Sequence, residues 1–462
     1  MITRRRFCQS ALATSALLGA GLPSFASQPS SATQPATVGK PNIILLMADD
    51  QGWHEIGYNG HKYIKTPVLD EMAASGLRMD RFYSAAPICS PTRASIMTGR
   101  HPIRSGTTAV HGNKSKPHIK ETFLPELLQT QGYATAHIGK WHLGGHMVSR
   151  RERAYHPYSR GYDQTFWTAN NAPHVDPDNY FIDGKKAGSL KGEDSLILAE
   201  KTIAFIRAQH KAEKPFFTTV WFHSPHKVHG TTDEFKKPYE NVLDGQHVDY
   251  FGQLTALDHA VGMIRKQLRE LGIADNTLVW YCSDNGSEYK TGDKVISAHG
   301  PKGAKFTLNE GGVLVPGIVE WPDRIKEPAT TRVPAVTTDM FATITDLVGV
   351  ADDKRIISPQ DGISLLPLFD GTMKKRGEPI YFANTKNWGV RDDDYIFIAP
   401  LEKQAGGMER PVKGDHLYAG TDIQQKKNLA NDKPEVVAAF KAQLSKWHES
   451  ALRSGKGEDY PA

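Results

Sequence analysis

The chain has 462 residues, of which 39% are hydrophobic and 23% charged, which is the composition of a globular protein with one large domain or a few smaller ones. Three cysteines exclude a disulfide-stapled scaffold. No apolar run reaches the roughly 20 residues of a membrane span. We therefore do not expect stable membrane insertion. The net charge of +5 includes three arginines at residues 4–6, so charge alone gives no reason to expect nucleic-acid binding.

The first residues have the pattern of an export signal. The arginines at 4–6 precede an apolar stretch at 11–22 and a cleavage site with small residues at 24 and 26, which is typical of a bacterial signal peptide. The arginine cluster resembles the twin-arginine signal, which implies the twin-arginine export machinery as a partner and a periplasmic or secreted location. An ordinary secretory signal is the alternative. We expect residues 1–26 to be removed and residues 27–40 to be a disordered spacer.

Apolar runs alternate with helical periodicity along the next part of the chain. The predicted elements are strand 41–48, helix 66–76, helix 122–132, strand 133–138, strand 216–222, helix 250–271 and strand 277–283. The first strand is apolar throughout, which indicates burial on both faces of a sheet. The helix at 250–271 has apolar residues at steps of three and four. This alternation predicts a doubly wound α/β domain.

The pattern changes after Gly371. Short apolar runs at 379–382 and 395–398 precede a last helix at about 436–447, and this arrangement is typical of a small α+β unit. We therefore divide the mature chain into an α/β catalytic domain, residues 41–371, and a smaller C-terminal α+β subdomain, residues 372–462.

Three predicted strands end in polar side chains. Asp49 and Asp50 follow the first strand, His223 follows the strand at 216–222, and Asp284 and Asn285 follow the strand at 277–283. Functional residues of such sheets lie beyond the carboxyl ends of the strands. Carboxylate and amide oxygens are ligands for a hard cation such as Ca²⁺ or Mg²⁺. Taken alone, either pair is more often a solvated turn, so the prediction of a metal site depends also on the Cys89 segment that lies between them in the sequence.

The segment that begins Cys89-Ser90-Pro91-Thr92-Arg93 and continues to Thr98-Gly99-Arg100 resembles the signature of the type I sulfatases, a family of the alkaline phosphatase superfamily. The resemblance implies that Cys89 is oxidised to formylglycine (3-oxoalanine), whose hydrated aldehyde is the nucleophile. It also implies a formylglycine-generating maturation enzyme as a partner. The alternative is an inert buried cysteine, the usual fate of a free cysteine.

Further segments resemble the same family and occur in the family's order. They are Asp49-Asp50, Lys140-Trp141-His142-Leu143-Gly144, His223-Ser224-Pro225-His226, Asp284-Asn285-Gly286 and the run from Gly303 through Lys305 to Glu310-Gly311-Gly312. The resemblance covers about residues 41–450. It implies an alkaline-phosphatase-like fold, with a large, mixed and mostly parallel central sheet flanked by helices.

The resemblance implies a metal site. One Ca²⁺, with Mg²⁺ the second choice, would be held by Asp49, Asp50, Asp284, Asn285 and the modified Cys89. Asp284 would also deprotonate the attacking hydroxyl.

The resemblance also implies a catalytic set. Arg93 would hold the hydrated aldehyde, while Lys140 and Lys305 would bind sulfate oxygens. His223 would protonate the leaving sugar oxygen, and His142 would take a proton so that sulfate leaves and the aldehyde re-forms. The residues left without an assigned role are His111, His174, His226 and His229, and Cys282 is expected to pack in the core.

The predicted function is hydrolysis of sulfate esters on carbohydrates, either glycosaminoglycans or algal galactans, with release of inorganic sulfate. One alternative is a phosphonate or phosphate ester hydrolase of the same superfamily, because the residues that bind the ester do not identify its central atom. The other is a catalytically silent sulfoglycan-binding protein, which would lack a nucleophile or metal position. None of these positions is missing here.

Overall fold

The computed structural model describes residues 39–144, 150–243, 245–289, 293, 295–296, 300–401 and 411–461. Gly39–Ala462 forms one compact unit. The predicted signal peptide and all but the last two residues of the predicted spacer lie outside the described residues, and the domain boundary at residue 371 stays a prediction. Among the described helices, none has the length and apolar character needed to cross a bilayer.

The described strands and helices follow one another as alternating elements in the first part of the chain. The strands are β1 (Asn42–Asp49), β2 (Leu77–Met79), β3 (Phe82–Tyr83), β4 (Ala134–Lys140), β5 (Gln164–Thr168), β6 (Phe181–Ile182), β7 (Lys185–Lys186), β8 (Phe216–Pro225), β9 (Thr277–Ser283), β10 (Leu314–Val315), β11 (Gly317–Glu320), β12 (Ala329–Thr331), β13 (Ala335–Val336), β14 (Ile380–Ala383), β15 (Asn387–Arg391), β16 (Tyr395–Pro400) and β17 (His416–Ala419). The helices are α1 (Pro67–Ser75), α2 (Cys89–Thr98), α3 (Pro102–Ser105), α4 (Leu124–Thr130), α5 (Asp194–Lys211), α6 (Asp233–Lys236), α7 (Gly245–Glu270), α8 (Glu310–Val313), α9 (Thr337–Leu347), α10 (Leu366–Phe369) and α11 (Pro434–Gly455).

A ten-stranded sheet forms the centre of the described part of the chain. Its strand order is β12-β2-β11-β9-β1-β8-β4-β5-β6-β7. The five strands from β9 to β5 run parallel to their neighbours, whereas β11 and β6 join antiparallel. The carboxyl ends of β9, β1, β8 and β4 therefore meet at one edge of the sheet, which is where the predicted functional residues stand.

The alternation of side chains along β1 explains its burial on both faces. Ile43, Leu45 and Met47 pack in one apolar cluster, whereas Ile44 and Leu46 pack in another, because successive side chains of a strand point to opposite faces. Helices α2, α4 and α9 contribute to the first cluster, and α1, α5 and α7 contribute to the second. The predicted α/β architecture, with a mixed and mostly parallel sheet between helices, is confirmed.

The C-terminal part has a different construction. Strands β14 to β17 form an antiparallel sheet in sequence order. Helix α11 covers this sheet with one apolar face, whose buried residues are Val437, Phe440, Leu444, Trp447 and Ala451. Their spacing of three and four residues is that of an amphipathic helix. The predicted small α+β arrangement at this end of the chain is present.

A candidate active site at the carboxyl edge of the sheet

Four neighbouring strands deliver side chains to this edge. Asp49 is the last residue of β1 and Lys140 the last residue of β4, while His226 directly follows β8 and Asp284 directly follows β9. Asp49, Lys140 and Asp284 are completely buried. The sheet thus brings together residues that are far apart in the sequence.

Cys89 stands at the centre of this cluster. It is the first residue of α2 and is 2% exposed. Its Sγ lies 3.5 Å from Asp49 Oδ1 and 3.6 Å from Lys305 Nζ, and 4.0 Å from both Asp50 Oδ1 and Lys140 Nζ. Burial, together with the charge of Asp284, raises the pKa of the Cys89 thiol well above its ordinary value. The unmodified side chain is therefore a protonated thiol and a weak nucleophile.

The two lysines beside Cys89 each pair with an aspartate. Lys140 Nζ lies 2.5 Å from Asp49 Oδ2, and Lys305 Nζ lies 2.6 Å from Asp50 Oδ1. Burial by itself raises the pKa of Asp49, but Lys140 and other nearby cations hold that pKa well below its ordinary value. Burial lowers the pKa of Lys305, yet the neighbouring Asp50 raises it well above the usual range. Asp49 is therefore an ionised carboxylate and Lys305 an ionised ammonium group.

Arg93 lies one helical turn after Cys89 and so on the same face of α2. Its Nη2 donates to Asp284 Oδ2 at 2.6 Å, and its Nη1 donates to the Lys140 carbonyl at 2.8 Å. The second oxygen of Asp284 accepts the Asp50 N–H at 3.1 Å. Burial and the charge of Asp49 raise the pKa of Asp284 to about 6. The guanidinium thus ties α2 to the ends of β4 and β9.

The oxygen atoms around Cys89 fit a hard divalent cation. Ligand atoms of Asp49, Asp50, Cys89 and His226 lie within 4.8 Å of one another. Asn285 Nδ2 donates to Asp50 Oδ1 at 2.7 Å, and its buried Oδ1 accepts no hydrogen bond from any described residue. An orphaned amide oxygen beside two carboxylates is the donor set that Ca²⁺ or Mg²⁺ prefers. Asp284 stands outside the 4.8 Å group.

The structure brings His226, and not His223, to these carboxylates. His226 Nε2 lies 3.6 Å from Asp50 Oδ2. His223 is 1% exposed, with Nδ1 2.8 Å from Asp194 Oδ2 and Nε2 2.7 Å from Thr168 Oγ1. Both ring nitrogens of His223 are therefore occupied by partners outside the carboxylate cluster.

Asn171 is a site residue that the sequence analysis did not single out. Its Oδ1 accepts from Lys140 Nζ at 2.8 Å, and its Nδ2 lies 3.1 Å from His226 Nδ1. One carboxamide thus bridges a predicted sulfate-binding lysine and the histidine at the site. Asn171 stands in a connection after β5 with no periodicity or strand end to mark it, so no sequence signal identifies it.

The remaining histidines singled out in the sequence, and Cys282, lie in different surroundings. His142 follows β4, is 4% exposed and has a φ of +56°. His174 supports the His226 segment, because its Nε2 lies 2.8 Å from the His226 carbonyl oxygen. His229 pairs with Gln253 and Tyr289, and His111 is exposed. Cys282 is buried in the core of the sheet, as predicted.

The segment that carries Lys305 is anchored by the C-terminal sheet. Arg391 of β15 forms a buried ion pair with Glu310, with Nε and Oε1 2.7 Å apart, and also donates to the Leu308 carbonyl. Tyr83 donates to the other oxygen of Glu310 at 3.0 Å. The small C-terminal sheet therefore helps to position one of the site's lysines.

Comparisons with known proteins identify the family of this chain and agree with its fold. The sequence profile of the Sulfatase family matches residues 41–350. N-acetylgalactosamine-6-sulfatase of Mus musculus is 34% identical over 377 residues, which are 75% of this chain and 69% of the mouse protein. Arylsulfatase G of Rattus norvegicus is 31% identical over 360 residues, which are 68% of this chain and 66% of the rat protein. The crystal structure of Ps i-CgsB in complex with k-i-k-neocarrahexaose has a similar fold, with a TM-score of 0.77 at 24% identity over 88% of this chain and 92% of that chain.

The chain belongs to the sulfatase family, and it is a sulfuric ester hydrolase of the type I class with an alkaline-phosphatase-like fold.

Proposed function

We propose that this enzyme removes sulfate from sulfated carbohydrates by a formylglycine made from Cys89. The observation that carries the proposal is the position of Cys89 at the start of α2, buried between two lysines and two aspartates. A buried protonated thiol is a weak nucleophile at this position. Oxidation to formylglycine supplies a hydrated aldehyde, whose hydroxyl is the nucleophile.

Asp49, Asp50, the modified Cys89 and the orphaned Asn285 Oδ1 would hold Ca²⁺ in this proposal, with Asp284 beside them. The cation, when bound, supplies positive charge that offsets the negative charge developing on the sulfate oxygens. Arg93 holds Asp284 in place and orients the start of α2.

The remaining residues bind the ester and move protons. Lys140 and Lys305, both within 4.0 Å of Cys89 Sγ, bind sulfate oxygens as positive point charges. His226 takes the role that the sequence analysis gave to His223, donating a proton to the leaving sugar oxygen. Asp284 accepts the proton of the attacking hydroxyl. His142 then accepts a proton as sulfate is released and the aldehyde is restored.

The substrate class is supported by the relatives. The mouse protein is named for N-acetylgalactosamine 6-sulfate, at 34% identity. We therefore propose a sulfated hexosamine or galactose unit of a glycosaminoglycan or algal galactan as the substrate. We also propose that the twin-arginine machinery exports the folded chain after a maturation enzyme has modified Cys89.

The test compares sulfur and phosphorus esters of one alcohol. Protein co-produced with a formylglycine-generating enzyme is assayed on 4-nitrophenyl sulfate, 4-nitrophenyl phosphate and N-acetylgalactosamine 6-sulfate, before and after chelation and return of Ca²⁺. We expect cleavage of both sulfate esters, loss of turnover on chelation and recovery with Ca²⁺. A preference for the phosphate ester would instead support a phosphorus ester hydrolase. Failure to cleave any ester would support a binding protein.

A further inference from the structure

Phe306 has a backbone conformation that its residue type rarely adopts. Its φ of +72° lies in the left-handed region, where a Cβ and a bulky side chain are strained. The other described non-glycine residues with positive φ are Asp50, His142, Asp176, Asp183, Glu213 and Gln425. Phe306 is the apolar member of this set of described residues, and it directly follows Lys305 of the site.

Two backbone hydrogen bonds hold the strained segment in place. The Phe306 N–H donates to the Pro87 carbonyl at 2.9 Å, and the Lys305 N–H donates to the Ser287 carbonyl at 2.8 Å. Pro87 precedes Cys89 by two residues, and Ser287 follows Asn285 by two residues. The position of Phe306 is therefore fixed by the two turns that carry the nucleophile and the orphaned amide oxygen.

Core packing does not account for the phenylalanine. The ring is half-buried, and it belongs to none of the apolar clusters formed by the described residues. Its centroid lies 5.7 Å from Lys305 Nζ, which is itself 3.6 Å from Cys89 Sγ. The strained backbone of Phe306 thus carries a partly exposed ring beside a lysine that would bind sulfate. Backbone strain of this kind collects at functional sites, where the strained residue has a role.

We propose that Phe306 is an aromatic platform for the sugar ring that bears the sulfate, and hence a specificity-determining residue. The proposal rests on the proposed function. A sugar ring is one ester oxygen and one or two carbons away from the sulfur, so it lies beside the sulfate bound by Lys305. The face of Phe306 offers an apolar, weakly negative surface to the C–H groups of that ring.

The test uses three variants, Phe306→Gly, Phe306→Leu and Phe306→Tyr, with N-acetylgalactosamine 6-sulfate as substrate and inorganic sulfate as competitive inhibitor. We expect Phe306→Gly and Phe306→Leu to raise KM for the sugar about tenfold, the size of one lost ring contact, with little change in kcat. Inhibition by inorganic sulfate should stay within about twofold of wild type, since Lys305 remains. Phe306→Tyr keeps the platform and should match wild type.

Stability provides a second readout. Glycine adopts a positive φ without strain, so Phe306→Gly should have a Tm at or above that of wild type while it binds the sugar less well. The matched control is Glu213→Gly, at an exposed position with a φ of +53°. This control should keep the wild-type KM, because strain is relieved away from the site.

Two results would overturn the platform. One is a wild-type KM for the sugar in both Phe306→Gly and Phe306→Leu. The other is a parallel loss of affinity for inorganic sulfate, which would mean that the variants displace Lys305. A wild-type enzyme that cleaves no sulfate ester would overturn the proposed function itself, and with it the platform, before any variant is compared.

Discussion

Two histidines at the end of β8 stand three residues apart in contrasting surroundings. His223 belongs to an interior network, in which Asp194, Thr168 and the Tyr180 hydroxyl surround its ring. His226 is half-buried and faces Asp50 and Asn171. The expectation that functional residues lie beyond the carboxyl ends of the strands thus identifies the edge of the sheet where the site lies. Which histidine reaches the site depends on the residue at which β8 ends.

An irregularity in the sheet explains why His226, rather than His223, lies beside Asp50. From Met47 to Asp49, β1 advances two residues, whereas β8 advances four residues over the paired stretch from Trp221 to Pro225. A bulge of this kind redirects side chains. His223 therefore still lies within β8, and His226 is the histidine beyond its end.

The largest expected effect on turnover belongs to Cys89, the source of the proposed nucleophile. Cys89→Ala should lower kcat/KM by about 10⁴-fold or more, because alanine cannot be converted into formylglycine and the attacking hydroxyl is lost. Hydrolysis of 4-nitrophenyl sulfate measures the loss, and the Tm shows whether the variant is folded. A folded Cys89→Ala enzyme that keeps a tenth of wild-type turnover would contradict the assignment.

The contrast between the histidines is sharpest in the variant His226→Asn. If His226 protonates the leaving oxygen, kcat on a sulfated sugar should fall by about 10²–10⁴-fold. The loss should be much smaller on 4-nitrophenyl sulfate, since nitrophenolate leaves without a proton. Equal losses on the two substrates would contradict a role for His226 as the acid.

Replacing Asn171, whose side-chain amide contacts both Lys140 and His226, should have an intermediate effect on turnover. Asn171→Ala removes the contact that joins Lys140 to His226, and loss of such an orienting partner costs about 10- to 100-fold in activity. The measurement is kcat/KM on N-acetylgalactosamine 6-sulfate, with Asn179→Ala, an exposed neighbour that bonds the Asn171 carbonyl, as the comparison variant. Wild-type activity in Asn171→Ala would remove it from the site.

The smallest effect on turnover should come from His223, whose main contribution is stability. His223→Asn removes the ring nitrogen that lies 2.8 Å from Oδ2 of the buried Asp194, and the loss of this buried contact should lower the free energy of unfolding by about 1–3 kcal/mol. Denaturant unfolding measures this change, and turnover is compared below the transition. A loss of activity as large as that of His226→Asn, with the same leaving-group dependence, would reverse the assignment of the two histidines.

The sequence predicts the elements that are defined by burial. Strand β9 has the predicted bounds. Asp49 and Asp284 lie at the carboxyl ends of strands, as predicted, and Cys89 is the first residue of a helix beside them. Helix α7 begins at Gly245, five residues before its predicted start. Its first turn carries few buried apolar side chains, and so little periodicity marks it.

The part of the site that the sequence does not predict depends on irregular backbone. Asn171 follows β5 in a connection, His226 follows a bulged strand, and Phe306 has a left-handed φ. None of these features has a hydrophobic period, because tertiary hydrogen bonds rather than burial patterns determine them.

The most direct test of the central claim is the mass of the peptide that contains Cys89, measured on protein co-produced with a formylglycine-generating enzyme and set beside its turnover of 4-nitrophenyl sulfate. The account predicts a loss of about 18 Da at Cys89, from replacement of the thiol by an aldehyde, and turnover in proportion to the modified fraction. Full turnover by protein whose Cys89 keeps its unmodified mass would contradict it.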